Sequence, residues 1–221
     1  MLKTNDVRYP NISIDKIYEG VRLFSKQQYV KDQALFLSLA QVQKPHSLFI
    51  TCCDSRIDPQ LITSSKPGEL FTVRSIANIV PPRALASKTD PVVSALEYSL
   101  EILKIEHIII CGHSNCGGCR ALWDNSFFQK LPHLKNWLSY ASRVKERVSK
   151  YLRENPEAKK DYAILIEKYN VLEQIKHLLT YPGVKRALKE GSLRVVGWYY
   201  RIDTGQVFYY DQESSAFIEI L

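Results

Sequence analysis

A chain of 221 residues with 45% apolar and 24% charged residues has the length and balance of a globular protein with a sizeable core, which excludes disordered, collagen-like and coiled-coil classes. Its formal charge of +7 first suggests nucleic acid or an anionic membrane surface. However, residues 141–190 hold 12 Lys and Arg interleaved with 7 Asp and Glu, the pattern of solvated helix faces, and neither partner is expected.

Along the chain, Ile14, Ile17, Val21 and Phe24 recur at spacings of three to four and predict an amphipathic helical arm within 13–41. The opening MLKTNDVRYPN shows no charged start leading into an apolar run, so no secretory signal is expected there. No apolar run approaches the ~18 residues of a membrane span. Residues 47–52, 69–73 and 107–111 are short apolar runs that predict buried strands. Between the last two, Asp90 caps a helix with Pro91 at its first position and Val93, Leu96, Leu100 and Leu103 on its core face. Helices are expected from about Gly117, over 132–151 and 159–180, and over 182–189, the last ended by Gly191. Residues 193–201 and 206–210 flank Asp203-Thr204-Gly205 and predict a hairpin. Strands alternating with helices imply an α/β fold: a mainly parallel central β-sheet flanked by helices, with a C-terminal antiparallel edge strand. No repeat or linker interrupts the pattern, so residues 1–221 read as a single domain whose N-terminal helical arm is 1–41.

Five cysteines, Cys52, Cys53, Cys111, Cys116 and Cys119, fall in two clusters. An odd, clustered count is unlike a disulfide framework and points to ligands or reactive thiols in a reducing, cytoplasmic setting. Ligands of a parallel sheet gather beyond the carboxyl ends of its strands. The first strand runs into Cys52-Cys53-Asp54-Ser55-Arg56, and the third into Cys111-Gly112-His113-Ser114-Asn115-Cys116-Gly117-Gly118-Cys119. Neighbouring strands would bring Cys52 or Cys53 to His113 and Cys116, and two thiolates with one imidazole suit a catalytic zinc ion. Cys116 opens a helix whose positive end favours a thiolate. Asp54 and Arg56, two apart on an extended segment, can pair and leave a carboxylate lone pair free for metal-bound water or hydroxide. Cys53, Cys111 and Cys119 are expected to pack in the core. Cys116-x-x-Cys119 also admits a thiol redox or structural zinc reading, which leaves Cys52, Asp54, Arg56 and His113 unexplained. His46, His107, His133 and His177 have no partner spacing and are expected to be surface or structural groups.

Cys52-x-Asp54-x-Arg56 followed by His113-x-x-Cys116-Gly117-Gly118 resembles the β-class carbonic anhydrases of bacterial type. Gln43-Lys44-Pro45, residues 67–71 and 77–82, Tyr98 and residues 198–205 fall in register as well, so the likeness covers roughly 40–210. It implies zinc-dependent, reversible hydration of carbon dioxide to bicarbonate and a proton, by attack of a zinc-bound hydroxide. On that resemblance, Cys52, His113 and Cys116 bind one Zn2+ per chain. Asp54 and Arg56 form the orienting dyad, with Asp54 a fourth ligand in a closed state. Gln43 and the backbone of Gly117 hold carbon dioxide or bicarbonate, and Phe71, Ile76 and Tyr98 wall an apolar pocket bounded by a second subunit. A homodimer or homotetramer follows. Hydrolysis of CS2 or COS on the same site stays open as an alternative, because substrate choice lies in pocket shape. One subset of the family carries an inhibitory bicarbonate pocket of Trp, Arg and Tyr. Arg74 and Tyr98 match it, but the Trp position is Phe49, which has no indole N–H to donate. That pocket is therefore expected to be weakened or absent, and the zinc site open at neutral pH.

Overall fold

The computed structural model describes residues 13–124, 126 and 130–221, and its chain divides into two units, 1–43 and 44–221. In the larger unit, six strands form one sheet: β1 (Ser47–Thr51), β2 (Leu70–Arg74), β3 (His107–His113), β4 (Arg194–Tyr200), β5 (Val207–Asp211) and β6 (Ala216–Glu219). Their order is β2-β1-β3-β4-β5-β6, parallel through β4 and antiparallel beyond it. The chain leaves β1 toward one side to form β2, then returns past β1 to form β3 on the other. The carboxyl ends of β1 and β3 therefore border a topological switch point, where open α/β sheets bind ligands. The antiparallel edge holds two strands where one is expected. The extra one, β6, has four residues, too few for an alternation to stand out.

The helices of this unit are α4 (Pro59–Thr63), α5 (Pro91–Glu101), α6 (Gly117–Trp123), α7 (Pro132–Ser139), α8 (Ser142–Glu154), α9 (Tyr162–Leu178) and α10 (Pro182–Lys189). Asp90 caps α5 by accepting the Val92 and Val93 N–H groups at 2.9 and 3.1 Å, with Pro91 at its first position. The continuous helix expected over 132–151 breaks between Ser139 and Ser142, where Ala141 is buried with φ −100 and ψ 15. A 3-10 turn, Pro156–Asp161, precedes α9.

Side chains alternate across the sheet. Leu48, Ile50, Ile108 and Ile110 face a core completed by Leu96 of α5, Val171 and Leu178 of α9, and Val184 of α10. Phe49, Ile109 and Cys111 face the other way, toward Trp198 and Tyr200. Each fully buried Leu, Ile or Phe side chain stabilises by roughly 1.5–3 kcal/mol. A second cluster joins Ala77, Ile79, Cys52 and Cys116 to Leu138, Val144 and Ile166 of α7, α8 and α9. It forms the floor under the two strand ends.

The smaller unit contains α1 (Ile14–Leu23), a π turn (Phe24–Gln28), α2 (Tyr29–Lys31) and α3 (Gln33–Leu39). None of its described residues is buried. The Phe36 ring packs on Phe24 and Tyr29 at centroid distances of 5.7 and 5.2 Å. Gln43 is its last residue.

Candidate metal centre

Parallel pairing of Thr51 with Cys111 sets the end of β1 beside the last turn of β3. Cys52 follows β1 directly, and His113 ends β3 with its side chain fully buried. Asn115, at φ 57, then turns the chain so that Cys116 stands at the N-cap of α6. These two strand ends bring Cys52, His113 and Cys116 together: their ligand atoms lie within 4.8 Å of one another, and the two sulfurs are 3.9 Å apart. Cys119 is buried nearby but is not a member of that group.

Hydrogen bonding decides which imidazole nitrogen faces the group. Nδ1 of His113 lies 3.0 Å from the Ser114 carbonyl, which can only accept, so Nδ1 carries the proton. Nε2 presents its lone pair to the two sulfurs, and it is buried without a hydrogen-bond partner. The Asp54 Oδ2 atom, at 3.9 Å, is too distant to serve as one. An orphaned buried polar atom costs about 1–3 kcal/mol unless something binds it. The Cys116 contact, reinforced by burial, pushes the Cys52 thiol up to about 12, and a hydrogen bond with Cys119, again with burial, raises Cys116. Both sulfurs therefore hold protons until a cation replaces them. Two sulfurs and one neutral imidazole, enclosed and with the imidazole Nε2 unpartnered, fit a zinc ion.

Asp54 and Arg56 meet as a pair, though not on an extended segment. The chain turns at Ser55, and the Arg56 backbone N–H donates to Asp54 Oδ1 at 3.0 Å. The guanidinium binds the carboxylate through both prongs, Nε to Oδ1 at 2.9 Å and Nη2 to Oδ2 at 2.7 Å. This pairing holds the Asp54 carboxyl down at about 2. Arg56 Nη2 also reaches the Asn115 carbonyl at 3.1 Å, tying the first loop to the second. Arg74 braces the same loop from below by donating to the carbonyls of Ile57, Asp54 and Cys52 at 2.6, 3.4 and 3.5 Å.

The expected pocket walls lie on the surface of this unit. Phe71 is half-buried with its ring 6.0 Å from that of Tyr98, while Tyr98 and Ile76 are 43% and 39% exposed. Gly117 faces open space. One expectation needs correction. Cys53 is exposed rather than packed in the core, because the strand and its alternation end at Thr51. By strand register Phe49 shares a sheet face with Thr72 and Arg74. Leu48 pairs with Phe71, so Phe71 and the adjacent Tyr98 lie on the sheet face opposite Phe49, which packs edge-on against Trp198 at 5.9 Å. Cys111 and Cys119 are buried as expected.

The residues that sequence reasoning missed lie on α9. Glu167 accepts the Cys116 backbone N–H at 2.9 Å and the Tyr199 hydroxyl at 2.7 Å, and burial raises its pKa despite those donors. Asn170, Glu173, Gln174 and His177 are buried on the same helix. The signal available was the absence of a solvated stripe: apolar residues flank these polar ones on both sides, as in Leu165, Ile166, Val171 and Leu172.

The carbonic anhydrase family model matches residues 47–207. The solved structure of the β-carbonic anhydrase CcaA superposes with a TM-score of 0.88 at 37% identity, covering 94% of this chain and 99% of that one. The chain belongs to the β-class carbonic anhydrases. A carbonic anhydrase of Helicobacter pylori is 34% identical over 202 residues, 90% of each protein. One of two tetrameric β-carbonic anhydrases from Sordaria macrospora superposes with a TM-score of 0.78 at 29% identity, covering 89% of this chain and 95% of that one. Among the described residues of this β-carbonic anhydrase, no helix is long and apolar enough to cross a membrane.

Proposed function

We propose that this carbonic anhydrase hydrates carbon dioxide reversibly at one zinc ion held by Cys52 Sγ, His113 Nε2 and Cys116 Sγ, with Asp54 and Arg56 orienting the reacting oxygen. The observation that carries the reading is the buried, unpartnered His113 Nε2 facing two sulfurs. A zinc ion bound there acts as a Lewis acid, lowering the pKa of water from about 15.7 to near 7 so that a nucleophile for carbon dioxide exists at neutral pH.

The chain's own residues do the placing. Asp54 Oδ2, held toward His113 Nε2 by Arg56, is an acceptor and cannot donate. It therefore admits an oxygen that presents its hydrogen to the carboxylate, which aims the remaining lone pair at the substrate carbon. Arg56 keeps the carboxylate from turning elsewhere, and its bond to the Asn115 carbonyl locks the pair to the ligand loop. Phe71, Ile76 and Tyr98 supply an apolar wall for carbon dioxide, and the Gly117 backbone holds the bicarbonate product. The exposure of Tyr98 and Ile76 fits a wall completed by a second subunit, so the working form is a homodimer or homotetramer. Five free thiols suit a reducing compartment, the cytoplasm.

Stopped-flow carbon dioxide hydration tests the proposal. Zinc-replete wild type is expected to be active, and Asp54→Asn to lose on the order of 10²-fold in kcat with its zinc retained. Full activity in Asp54→Asn, or none in wild type carrying one zinc per chain, refutes it.

A further inference from the structure

Both sulfurs of the metal set are tied, each through one intermediate group, to the same face of α9. On one side the Cys116 backbone N–H donates to Glu167 Oε1 at 2.9 Å. On the other, the Ala77 N–H donates to Cys52 Sγ at 3.3 Å, while the Ala77 carbonyl accepts from Asn170 Nδ2 at 2.7 Å. Glu167 and Asn170 are three residues apart, one helical turn.

The Ala77 end is held under constraint. Ala77 and Asn78 have φ of 57 and 48, two successive left-handed residues where non-glycine side chains are disfavoured. Such a conformation persists only when its surroundings over-determine it. Here they do so through polar groups on a buried helix face. Gln174 Nε2 donates to Asn170 Oδ1 at 2.8 Å, which fixes the orientation of the Asn170 amide, and Gln174 Oε1 accepts the Val80 N–H at 2.9 Å. His177 Nδ1 lies 2.7 Å from the Val80 carbonyl, and the Tyr181 hydroxyl donates to the Pro81 carbonyl at 2.6 Å. Asn170 and Gln174 are wholly buried. An apolar face would have covered the loop without the desolvation that these amides incur. What the amides add is direction: with the Ala77 carbonyl anchored to Asn170, the left-handed turn aims the Ala77 N–H at the ligand sulfur. An N–H donor there favours charge on the sulfur and fixes its position, as outer hydrogen bonds do for metal ligands generally.

We propose that Asn170 is a positioning residue of the metal centre: by holding the Ala77 carbonyl from within α9, it keeps the Ala77 N–H on Cys52 Sγ and presets that sulfur as a ligand before the metal arrives. The inference rests on the assignment of Cys52, His113 and Cys116 as the metal set. The test is cobalt(II) binding by chelator competition and by the thiolate-to-cobalt charge-transfer band. Asn170→Asp keeps the size of the side chain and its acceptor for Gln174, but sets an oxygen against the Ala77 carbonyl. It is expected to bind cobalt about 10–100-fold more weakly, with a shifted charge-transfer band. Leu193→Ala removes a buried side chain just before β4, at the opposite end of the sheet, and is expected to lower stability while leaving the affinity and the band unchanged. In metal-free wild type, the Ala77 amide is expected to be protected from hydrogen exchange, a measurement that needs no variant. Affinity in Asn170→Asp within about twofold of wild type, an equal loss in Leu193→Ala, or a freely exchanging Ala77 amide overturns the proposal. Wild type that binds no cobalt, or binds it as well after Cys52→Ser, removes instead the ligand assignment beneath it.

Discussion

Adjacent glycines at the start of α6 should respond in opposite directions to the same substitution. A Cβ built on Gly118 would stand 2.9 Å from Ala77 Cβ, 3.0 Å from Ile76 Cγ2 and 3.3 Å from Ala77 N. The Ile76 methyl can shift, but Ala77 Cβ and N belong to the left-handed turn and cannot swing aside without drawing the Ala77 N–H off Cys52 Sγ. Overpacking of this kind costs about 1–3 kcal/mol. Replacing a helical glycine by alanine returns about 0.5–1 kcal/mol. The net expectation for Gly118→Ala is a loss of roughly 0.5–2 kcal/mol, which for a chain of this size lowers Tm by about 1–8 °C. A Cβ on Gly117 meets nothing within 4 Å. Gly117→Ala should therefore be neutral or stabilised by up to ~1 kcal/mol. Thermal unfolding of the two metal-free variants beside wild type measures this, and chelator competition shows whether Gly118→Ala alone loosens the metal. Parallel shifts in the two variants, or a Gly118→Ala protein as stable as wild type, would refute the close-packing argument.

Loading zinc should stabilise the fold, because the metal binds the native strand ends and not the separated ligands. At a free concentration of about 1,000 times Kd the gain is ~4 kcal/mol, or on the order of 10 °C in Tm, and Cys52→Ser or His113→Ala should abolish that increment. Glu173 should contribute an acid-sensitive share of stability. The His177 imidazole, 3.6 Å away, and the nearby Arg147 hold its carboxyl below the ordinary value, so the contribution is present above that value and lost as pH falls through the depressed one. The Tm difference between wild type and Glu173→Gln should accordingly shrink between neutral pH and about pH 3, and a constant difference would count against the ion pair. Arg74→Lys should lower kcat about tenfold with metal content unchanged, since one ammonium cannot brace the three carbonyls that place Asp54. Loss of the metal in that variant would show that Arg74 supports the ligands instead.

What is legible in this sequence is chemistry that resides in residue type. Two apolar runs too short for helices place Cys52 and His113 at strand ends, and Cys116 reads with them because one turn suffices to span His-x-x-Cys. Features that depend on a long period are legible too, such as α5 behind Asp90 and Pro91. Two short elements are not: α4 and β6 have five and four residues and leave no periodic trace. Cys53 fails for a different reason. An alternation tells which neighbours share a face only while the strand lasts, and it says nothing of which face another strand presents. The pairing of Leu48 with Phe71 settles that, and it is a contact between distant segments.

The supporting shell around the ligands is the least legible part, and the cause is general. Glu167, Asn170, Gln174 and His177 recur at helical spacing, and the apolar residues around them signal burial without telling which backbone groups they meet. Its meaning comes from atoms far away in sequence: Asn170 meets the Ala77 carbonyl 93 residues earlier, and Gln174 meets the Val80 N–H 94 residues earlier. A ligand motif identifies itself because each member must be a particular element donor, sulfur or nitrogen. A supporting amide needs only the right backbone group opposite it, and that is a property of the fold. Substitutions on the buried face of α9 are therefore expected to leave the proposed ligands and the Asp54–Arg56 pair in place and still change metal affinity.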